Sequence, residues 1–186
     1  PKTIAVVIPS INIERANMVV DVMQKRAGRD ADYYVVEDID RSGFMATMND
    51  FVKNNEYDYY VYATEDSSPG WMWLKRAYDK AIEKDAGLIA FNDGKNSGNL
   101  ATFGMVERKW MQSIYGGDIF YSGYHSHYGD TELTVYAIRD NKLAYDPESC
   151  LVEVDYKKHG VNMKDKELYN KRKMTLFNSS LQELFS

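Results

Sequence analysis

The sequence predicts an α/β fold: one domain whose mainly parallel, mixed central sheet is covered by helices on both faces. Short apolar runs alternate along the chain with segments in which apolar residues recur at helical spacing. The first run, at residues 2–12, reads KTIAVVIPSIN and is short enough to be a strand buried on both faces. Repeated strand–helix–strand units cross over right-handedly, which builds a parallel sheet with helices on both sides.

The first half of the chain is predicted to alternate between strands and helices. The strands are residues 2–12, 32–40 and 57–63. The helices are residues 16–27, 44–52 and about 69–84. Gly28 ends the first helix, whereas Ser68 caps the third and Pro69 suits its first turn. The residues of the third helix that we expect to face inward are Trp71, Leu74, Tyr78 and Ala81.

The second half of the chain continues the same alternation around one long loop. The predicted strands are residues 87–91, 101–106, 143–146 and 151–156. The predicted helices are residues 107–115, 130–139 and 164–185. Residues 116–129 form an aromatic, glycine-rich loop of the length that binding loops have. We expect residues 1–162 to form one domain and residues 163–186 to be a helical tail packed on it.

Composition excludes several classes of protein. The chain has 186 residues, of which 44% are hydrophobic, as expected for a globular domain. It contains no apolar stretch of about 20 residues and no signal-peptide pattern, so we expect a soluble, cytoplasmic protein without a membrane span. Cys150 is the only cysteine, which excludes an intrachain disulfide. A net charge of −5 argues against a surface built for nucleic acid.

Acidic residues follow the predicted strands at the edge where such sheets bind ligands. Open α/β sheets hold ligands beyond the carboxyl ends of their strands, where the N-terminus of the next helix suits a phosphate. The acids concerned are Glu37, Asp38, Glu65, Asp66, Asp130 and Glu132, and His159 follows the last strand. Together they suit a divalent cation beside a diphosphate, with one acid as general base. Taken singly, each acid fits a helix cap or an exposed loop charge.

A series of motifs resembles the nucleotide-sugar glycosyltransferases of the GT-A fold, especially family 2. The motifs are VVIPSIN, VVEDID, GFMATMN, YVYATEDSSPGW and GDTEL, followed by His159, and they extend over residues 3–159. The resemblance implies a metal-dependent enzyme of the hexosyltransferase type. Such an enzyme moves a sugar from a nucleoside diphosphate, most commonly UDP, to an acceptor hydroxyl with inversion.

The resemblance also implies roles for residues on the donor side. The donor-binding residues are Pro9, Ser10, Asn12, Arg15, Glu37, Asp38, Gly43, Asn49, Glu65 and Asp66. Asp38, with Glu37 as the alternative, matches the acid that recognises the base or ribose. Asp66 and His159 match the ligands of Mn²⁺ or Mg²⁺, which oxygen ligands suit. Thr64 stands where the family has the first aspartate of its Asp-x-Asp motif, which weakens a two-carboxylate metal site.

On the acceptor side, Asp130 matches the catalytic base that removes a proton from the acceptor hydroxyl. Glu132 is the second candidate for this role. The residues expected to contact the acceptor are Tyr124, His125, His127 and Glu132. Surface or packing roles for the histidines, and aromatic packing for Tyr124, are the alternatives.

Two other functions fit some of these observations. A nucleotidyltransferase uses similar acids, but it needs a glycine-rich basic loop after its first strand, and the SINIER segment contains no glycine. An inactive module that binds a nucleotide sugar is suggested by Thr64 and by the short chain. The acceptor remains open between a glycan, a protein and a modified nucleobase, and a homo-oligomer is a further possibility.

Overall fold

The computed structural model describes residues 2–154, 160–175 and 177, and in these residues seven strands form one mixed sheet. The strands are β1 (Ile4–Ser10), β2 (Asp32–Glu37), β3 (Tyr59–Tyr62), β4 (Ser67–Pro69), β5 (Leu88–Asn92), β6 (Gly104–Glu107) and β7 (Leu143–Glu153). Their order across the sheet is β2-β1-β3-β6-β5-β7-β4. The predicted α/β class with a mixed sheet is therefore confirmed.

Six helices accompany the sheet in the same part of the chain. They are α1 (Ile13–Arg26), α2 (Phe44–Asn54), α3 (Trp73–Lys84), α4 (Arg108–Tyr115), α5 (Gly129–Arg139) and α6 (Met163–Met174). The apolar side chains of the sheet fall into two core clusters, one on each face. No helix of the described ranges is long and apolar enough to cross a membrane.

The parallel half of the sheet is centred on β1, which pairs in parallel with both β2 and β3. All seven residues of β1 are buried, as the continuous apolar run predicts for a strand covered on both faces. Alternate side chains enter opposite cores: Val6 belongs to the cluster that contains Met23 of α1, and Val7 belongs to the cluster that contains Met48 of α2. This arrangement brings the carboxyl ends of β1, β2 and β3 to one edge.

The region after β3 differs from the prediction. The expected helix at Pro69 is wrong there, because residues 67–69 form β4, which pairs antiparallel with β7. Proline has no backbone N–H to donate and is therefore acceptable in a short edge strand. Helix α3 begins only at Trp73, and Trp71 is 72% exposed instead of facing inward. Leu74 and Ala81 are buried as predicted.

The last strands also differ from their predicted form. Strand β7 runs without a break from Leu143 to Glu153, where two strands were expected, and its register against β5 shifts between Ala90 and Asn92. Strand β6 lies antiparallel between β3 and β5. Helix α6 covers residues 163–174 of the predicted tail, and the rest of that tail lies outside the described residues apart from Thr175 and Phe177.

Candidate functional site

Two adjoining cavities lie at the carboxyl ends of β1 and β3. The first has a volume of about 290 Å³ and is lined by Pro9, Ser10, Ile11, Arg15, Asp38, Phe44, Thr64, Glu65 and Asp66. The second has a volume of about 430 Å³, and its polar lining includes Thr64, Asp66, Thr102, Ser126, His127, Asp130 and Glu153. Phe44, Thr64 and Asp66 belong to both linings, so the two cavities form one continuous cleft.

The turn after β1 forms one wall of the first cavity. Ser10 is buried, and its hydroxyl oxygen accepts a hydrogen bond from the Asn12 backbone N–H at 2.9 Å. Asn12 caps helix α1, because its side-chain oxygen accepts from the Arg15 N–H at 3.1 Å. Asn12 is therefore a cap that shapes the turn, whereas Pro9, Ser10 and Arg15 line the cavity.

Asp38 lines the first cavity beside this turn, and its backbone N–H donates to the Ser10 carbonyl oxygen at 3.1 Å. Its carboxylate accepts hydrogen bonds from the backbone N–H groups of Ser42 and Gly43, at 2.8 and 2.9 Å, and from the Ser42 hydroxyl. Burial opposes ionisation of this group, but the three hydrogen bonds outweigh it and lower the pKa of Asp38. Glu37 is exposed and lines a different surface cavity. The first cavity thus contains Asp38, and Glu37 is not in its lining.

Gly43, a predicted donor contact, is in the lining of neither cavity, but it lies between Asp38 and the loop before α5. Its φ of +98° suits glycine, and a Cβ at this position would lie 2.5 Å from the His125 carbonyl oxygen. The Met45 N–H donates to the same carbonyl oxygen at 3.4 Å. The start of α2 is therefore in close contact with the loop that borders the second cavity.

The Thr64-Glu65-Asp66 segment follows β3, and all three residues are half-buried. The Thr64 hydroxyl donates to the Asp66 carboxylate, and the Asp66 carbonyl accepts from the Val154 N–H at 2.9 Å. Thr64 stands where the resembled family has the first aspartate of its Asp-x-Asp motif. Its hydroxyl orients the Asp66 carboxylate and does not supply a second carboxylate. Asp66 lies in the wall that both cavities share, and Glu65 lines the first cavity alone.

The residues at this wall fit a divalent cation only if a ligand supplies further oxygens. Within residues 2–154, 160–175 and 177, no group of three histidine, cysteine or acidic residues is placed to hold a metal ion. His159, the second predicted ligand, lies outside the described residues. Mg²⁺ is often held by one or two carboxylates together with phosphate oxygens and water. Asp66 and Glu65 suit that kind of binding, in which the cation comes with a diphosphate.

Asp130 lines the second cavity from the first turn of α5. Burial raises the pKa of Asp130 to about 6, although hydrogen bonds from the Thr131 N–H and hydroxyl act in the opposite direction. The negative charge of nearby Asp93 adds to the increase. A carboxylate with this pKa is mainly ionised at pH 7 yet still accepts a proton readily, which suits a general base.

Asp93 is a buried acid whose charge acts on Asp130, and the sequence did not single it out. It is 2% exposed and accepts hydrogen bonds from the Lys95 and Asn96 N–H groups, the Asn96 side chain and the Thr102 hydroxyl. Burial opposes its ionisation, but these bonds lower the pKa of Asp93. The sequence shows only a polar Gly/Asn loop here, which contains no periodic signal of a buried acid.

Glu132 and Tyr124 are not placed as predicted. Glu132 is fully buried, and Arg172 donates to both of its carboxylate oxygens, at 2.8 and 2.6 Å. The hydroxyls of Tyr115 and Tyr124 donate to the same carboxylate at 2.8 and 2.7 Å. Neither Glu132 nor Tyr124 is in the lining of the second cavity. Their prediction as acceptor contacts, and that of Glu132 as second base, is wrong because both belong to a buried polar cluster.

Asn49 is also part of the interior. Its side-chain oxygen accepts from the N–H groups of Ile119 and Phe120, both at 3.0 Å, and its amide donates to the Phe120 carbonyl at 2.9 Å. It is 3% exposed and lies in neither cavity lining. The prediction that it borders the nucleotide pocket is therefore wrong, because Asn49 satisfies buried backbone groups of the long loop.

The two loop histidines differ in position. His127 lines the second cavity, and its Nδ1 accepts from the Asn162 N–H at 3.4 Å. His125 is exposed, and its ring Nε2 lies 3.3 Å from the Arg41 carbonyl oxygen. Of the two histidines predicted to contact the acceptor, His127 is in the lining of the cleft and His125 is not.

Comparisons with solved structures identify the fold. Mannosyltransferase PcManGT from Pyrobaculum calidifontis, in complex with GDP-Man and Mn²⁺, superposes with a TM-score of 0.62 at 13% identity, over 84% of this chain and 58% of that one. Residues 1–349 of S. aureus TarS, in complex with UDP-GlcNAc, superpose with a TM-score of 0.66 at 13% identity, over 98% of this chain and 69% of that one. No protein-family model and no curated protein sequence matches the chain.

The likeness establishes a GT-A-like α/β domain, as the motifs had led us to expect. S. aureus TarS 1–349 in complex with UDP gives a TM-score of 0.68 at 12% identity, over 98% of this chain and 68% of that one. The present chain spans 58% of the length of the mannosyltransferase, so the comparison concerns one part of that protein.

Proposed function

We propose that this chain is a nucleotide-sugar glycosyltransferase that moves a hexose from a nucleoside-diphosphate donor to an acceptor hydroxyl with inversion. The observation that carries the proposal is the cleft in which Asp38, Asp66 and Asp130 line two adjoining cavities of a GT-A-like domain. These three acids come from the ends of different strands and the start of a helix, as the motifs predict. Asp38 suits recognition of a base or ribose, Asp66 suits a divalent cation bound together with the diphosphate, and Asp130 suits proton transfer.

The first cavity is the proposed donor site. Asp38 is an ionised acceptor for a ribose hydroxyl or a base N–H, and Arg15 in the same lining suits the negative charge of a phosphate. PcManGT in complex with GDP-Man, and TarS in complex with UDP and UDP-GlcNAc, support a nucleotide-sugar ligand. We place UDP-sugars first among the donors because they are the commonest in the family that the motifs resemble.

Asp130 is the proposed base of a single displacement. The acceptor hydroxyl oxygen attacks the anomeric carbon of the sugar, and the bond from that carbon to the diphosphate oxygen breaks. The hydroxyl proton passes to the Asp130 carboxylate, and the nucleoside diphosphate leaves with the bonding electron pair. One displacement of this kind inverts the anomeric configuration. The pKa of about 6 for Asp130 supports this role, since the group is ionised at neutral pH.

Asp66, with Glu65 beside it, is the proposed holder of Mn²⁺ or Mg²⁺ together with the diphosphate oxygens. His159 remains a candidate ligand on the resemblance alone. When bound, such a cation neutralises charge on the diphosphate leaving group. The complex of PcManGT with Mn²⁺ supports a divalent metal.

A binding module without activity is the second candidate, and Thr64 favours it, because a hydroxyl there replaces a carboxylate. Release of nucleoside diphosphate from UDP- and GDP-sugars, with Mn²⁺ present, separates the two functions. We expect the unmodified chain to hydrolyse at least one donor slowly. Asp130→Asn should lower that rate by about 10²–10⁴-fold while leaving nucleotide binding nearly unchanged. Asp30→Asn, an exposed substitution of the same kind, is the control.

Binding without turnover in the unmodified chain would favour the inactive module. Turnover that persists in Asp130→Asn would remove Asp130 from the mechanism and leave the glycosyltransferase proposal without its base.

A further inference from the structure

Helix α6 makes a buried ion pair with the helix that carries Asp130. Arg172 is 6% exposed and Glu132 is fully buried, and the guanidinium binds both carboxylate oxygens. Glu132 stands two residues after Asp130 in the first turn of α5. The paired geometry fixes direction as well as distance, because the two N–H bonds of the guanidinium are parallel.

Tyrosines surround this ion pair and complete its hydrogen bonding. The Arg172 guanidinium lies 3.4 Å from the centre of the Tyr121 ring, and the hydroxyls of Tyr115 and Tyr124 donate to Glu132. All these tyrosines are close to or within the loop that precedes α5. A buried ion pair adds little net stability compared with an apolar pair, so its value lies in the geometry that it imposes.

The first turn of α6 holds the same loop by its backbone. The Asp165 carboxylate is 3% exposed and accepts hydrogen bonds from the N–H groups of His125, Ser126 and His127, at 3.0, 2.8 and 2.9 Å. Two of these residues, Ser126 and His127, line the second cavity. Asp165 therefore orders the part of the loop that faces the reaction.

Helix α6 makes a third contact through Tyr169, which lies between Asp165 and Arg172 in the helix. The Tyr169 ring stacks on the Tyr128 ring with centroids 4.9 Å apart. Tyr128 immediately precedes α5 and lines the same cavity as Asp130. Helix α6 thus contacts the loop, the start of α5 and the ion-paired carboxylate next to the base.

We propose that α6 is a positioning element of the transfer reaction, with Arg172 and Asp165 as its positioning residues. Arg172 orients α5 and thereby Asp130 through Glu132, and Asp165 orients the backbone at residues 125–127. Neither residue lines the first cavity, and the loop residues Ser126 and His127, like Asp130, line the second, so we expect the larger effect on the side of the cleft where the proton is removed. The inference rests on the proposed function for its kinetic part and on the contacts of α6 for its structural part.

Donor hydrolysis and hydrogen exchange of Arg172→Met test this proposal. We expect kcat for the donor that the unmodified chain hydrolyses to fall about a hundredfold, with donor KM and the Kd of UDP within about twofold, because a small misplacement of a catalytic group costs about 10²-fold. Lys171→Met removes one positive charge at the adjacent, exposed position and should change nothing. Arg172→Lys keeps the positive charge but cannot make the two parallel hydrogen bonds to Glu132. Its kcat should therefore lie between those of Arg172→Met and the unmodified chain.

Asp165→Asn gives a second variant in case Arg172→Met does not fold. The amides of His125, Ser126 and His127 should exchange at least about tenfold faster in it than in Glu167→Gln, the exposed control in the same helix. An Asp165→Asn chain with unchanged exchange at these amides would overturn the structural part. A folded Arg172→Met chain with unchanged kcat, or one that loses UDP binding together with kcat, would overturn the kinetic part.

Failure of the proposed function gives a different result. If the unmodified chain neither binds UDP or GDP nor hydrolyses any donor, the glycosyltransferase proposal fails, and the exchange data still decide whether α6 orders the loop.

Discussion

The Asp130 carboxyl combines two features that disfavour its charge: burial and the neighbouring charge of Asp93. The Thr131 N–H compensates only in part, at 2.8 Å. A group in such a position costs stability at neutral pH, which is usual for residues whose pKa is adjusted for proton transfer. This loss of stability can be tested in the absence of any substrate, by the free energy of unfolding.

Asp130→Asn should stabilise the folded chain at pH 8. Because the pKa is raised from 3.8 to about 6, the protonated carboxyl favours folding below pH 3.8, and this contribution is lost as the pH rises through about 6. The substitution should therefore raise the free energy of unfolding by roughly 1–3 kcal/mol at pH 8 and by almost nothing at pH 4. Urea unfolding at the two pH values measures the difference.

The exposed substitution Asp30→Asn serves as the comparison and should give nearly the same unfolding free energy as the unmodified chain at both pH values. If Asp130→Asn instead destabilises the chain equally at pH 4 and pH 8, its carboxyl is not held in the environment described above.

Single residues also mark the limit of sequence reasoning. Asp130 and Glu132 belong to the same GDTEL motif; the resemblance placed Asp130 first, but the residue types alone do not say which carboxylate faces the cleft. The answer depends on Arg172, forty residues further along the chain, which pairs with Glu132. Asp38 differs, because its carboxylate accepts hydrogen bonds from the nearby residues Ser42 and Gly43. Its position therefore depends on the local sequence and was predictable from it.

At the scale of elements, the long loop before α5 is held by side chains of helices on either side of it. Asn49 of α2 satisfies the backbone at Ile119 and Phe120. Asp165 of α6 satisfies the backbone further along, at residues 125–127. A loop held at several points in this way can keep cavity-lining groups in a defined place despite having little secondary structure.

Asn49→Ala should destabilise the fold without acting directly on the donor site. It leaves two buried N–H groups and one carbonyl without partners, and we expect a loss of about 2–4 kcal/mol in the free energy of unfolding. The control Asn54→Ala removes an exposed amide from the same helix and should change stability by less than about 0.5 kcal/mol. Chemical denaturation and the Kd of UDP measure both effects.

A donor-contact role for Asn49 predicts the reverse pattern. In that case Asn49→Ala would weaken UDP binding strongly and leave the unfolding free energy near that of Asn54→Ala.

Elements with local signals were predicted well, and those that depend on distant pairing were not. Strands β1 and β2 and helices α1 and α2 follow from apolar spacing within the segment itself. Strand β4 has three residues and exists because it pairs with residues 151–153 of β7. The proline in it indicated a helix start, since sequence alone does not show whether a partner strand is available.

At the scale of the whole molecule, the sheet order brings residues that are distant in sequence to one cleft. Strand β1 lies between β2 and β3 and is parallel to both, so Asp38 after β2 and Asp66 after β3 line the same cavity. The antiparallel strand β6 and the long strand β7 then extend the sheet, and α5 carries Asp130 to the second cavity. The motifs predicted this convergence, whereas the contribution of α6 required the structure.

Stabilisation by nucleoside diphosphates, with and without Mn²⁺, tests the central claim most directly. A ligand at 100 times its Kd adds about 2.7 kcal/mol to the free energy of unfolding. For a chain of 186 residues this raises Tm by roughly 5–10 °C. We expect such a shift with UDP or GDP in the presence of Mn²⁺, a smaller one without the metal, and a loss of the shift in Asp38→Ala. No shift with any nucleoside diphosphate, or an equal shift in Asp38→Ala, would contradict a nucleotide-sugar site in this cleft.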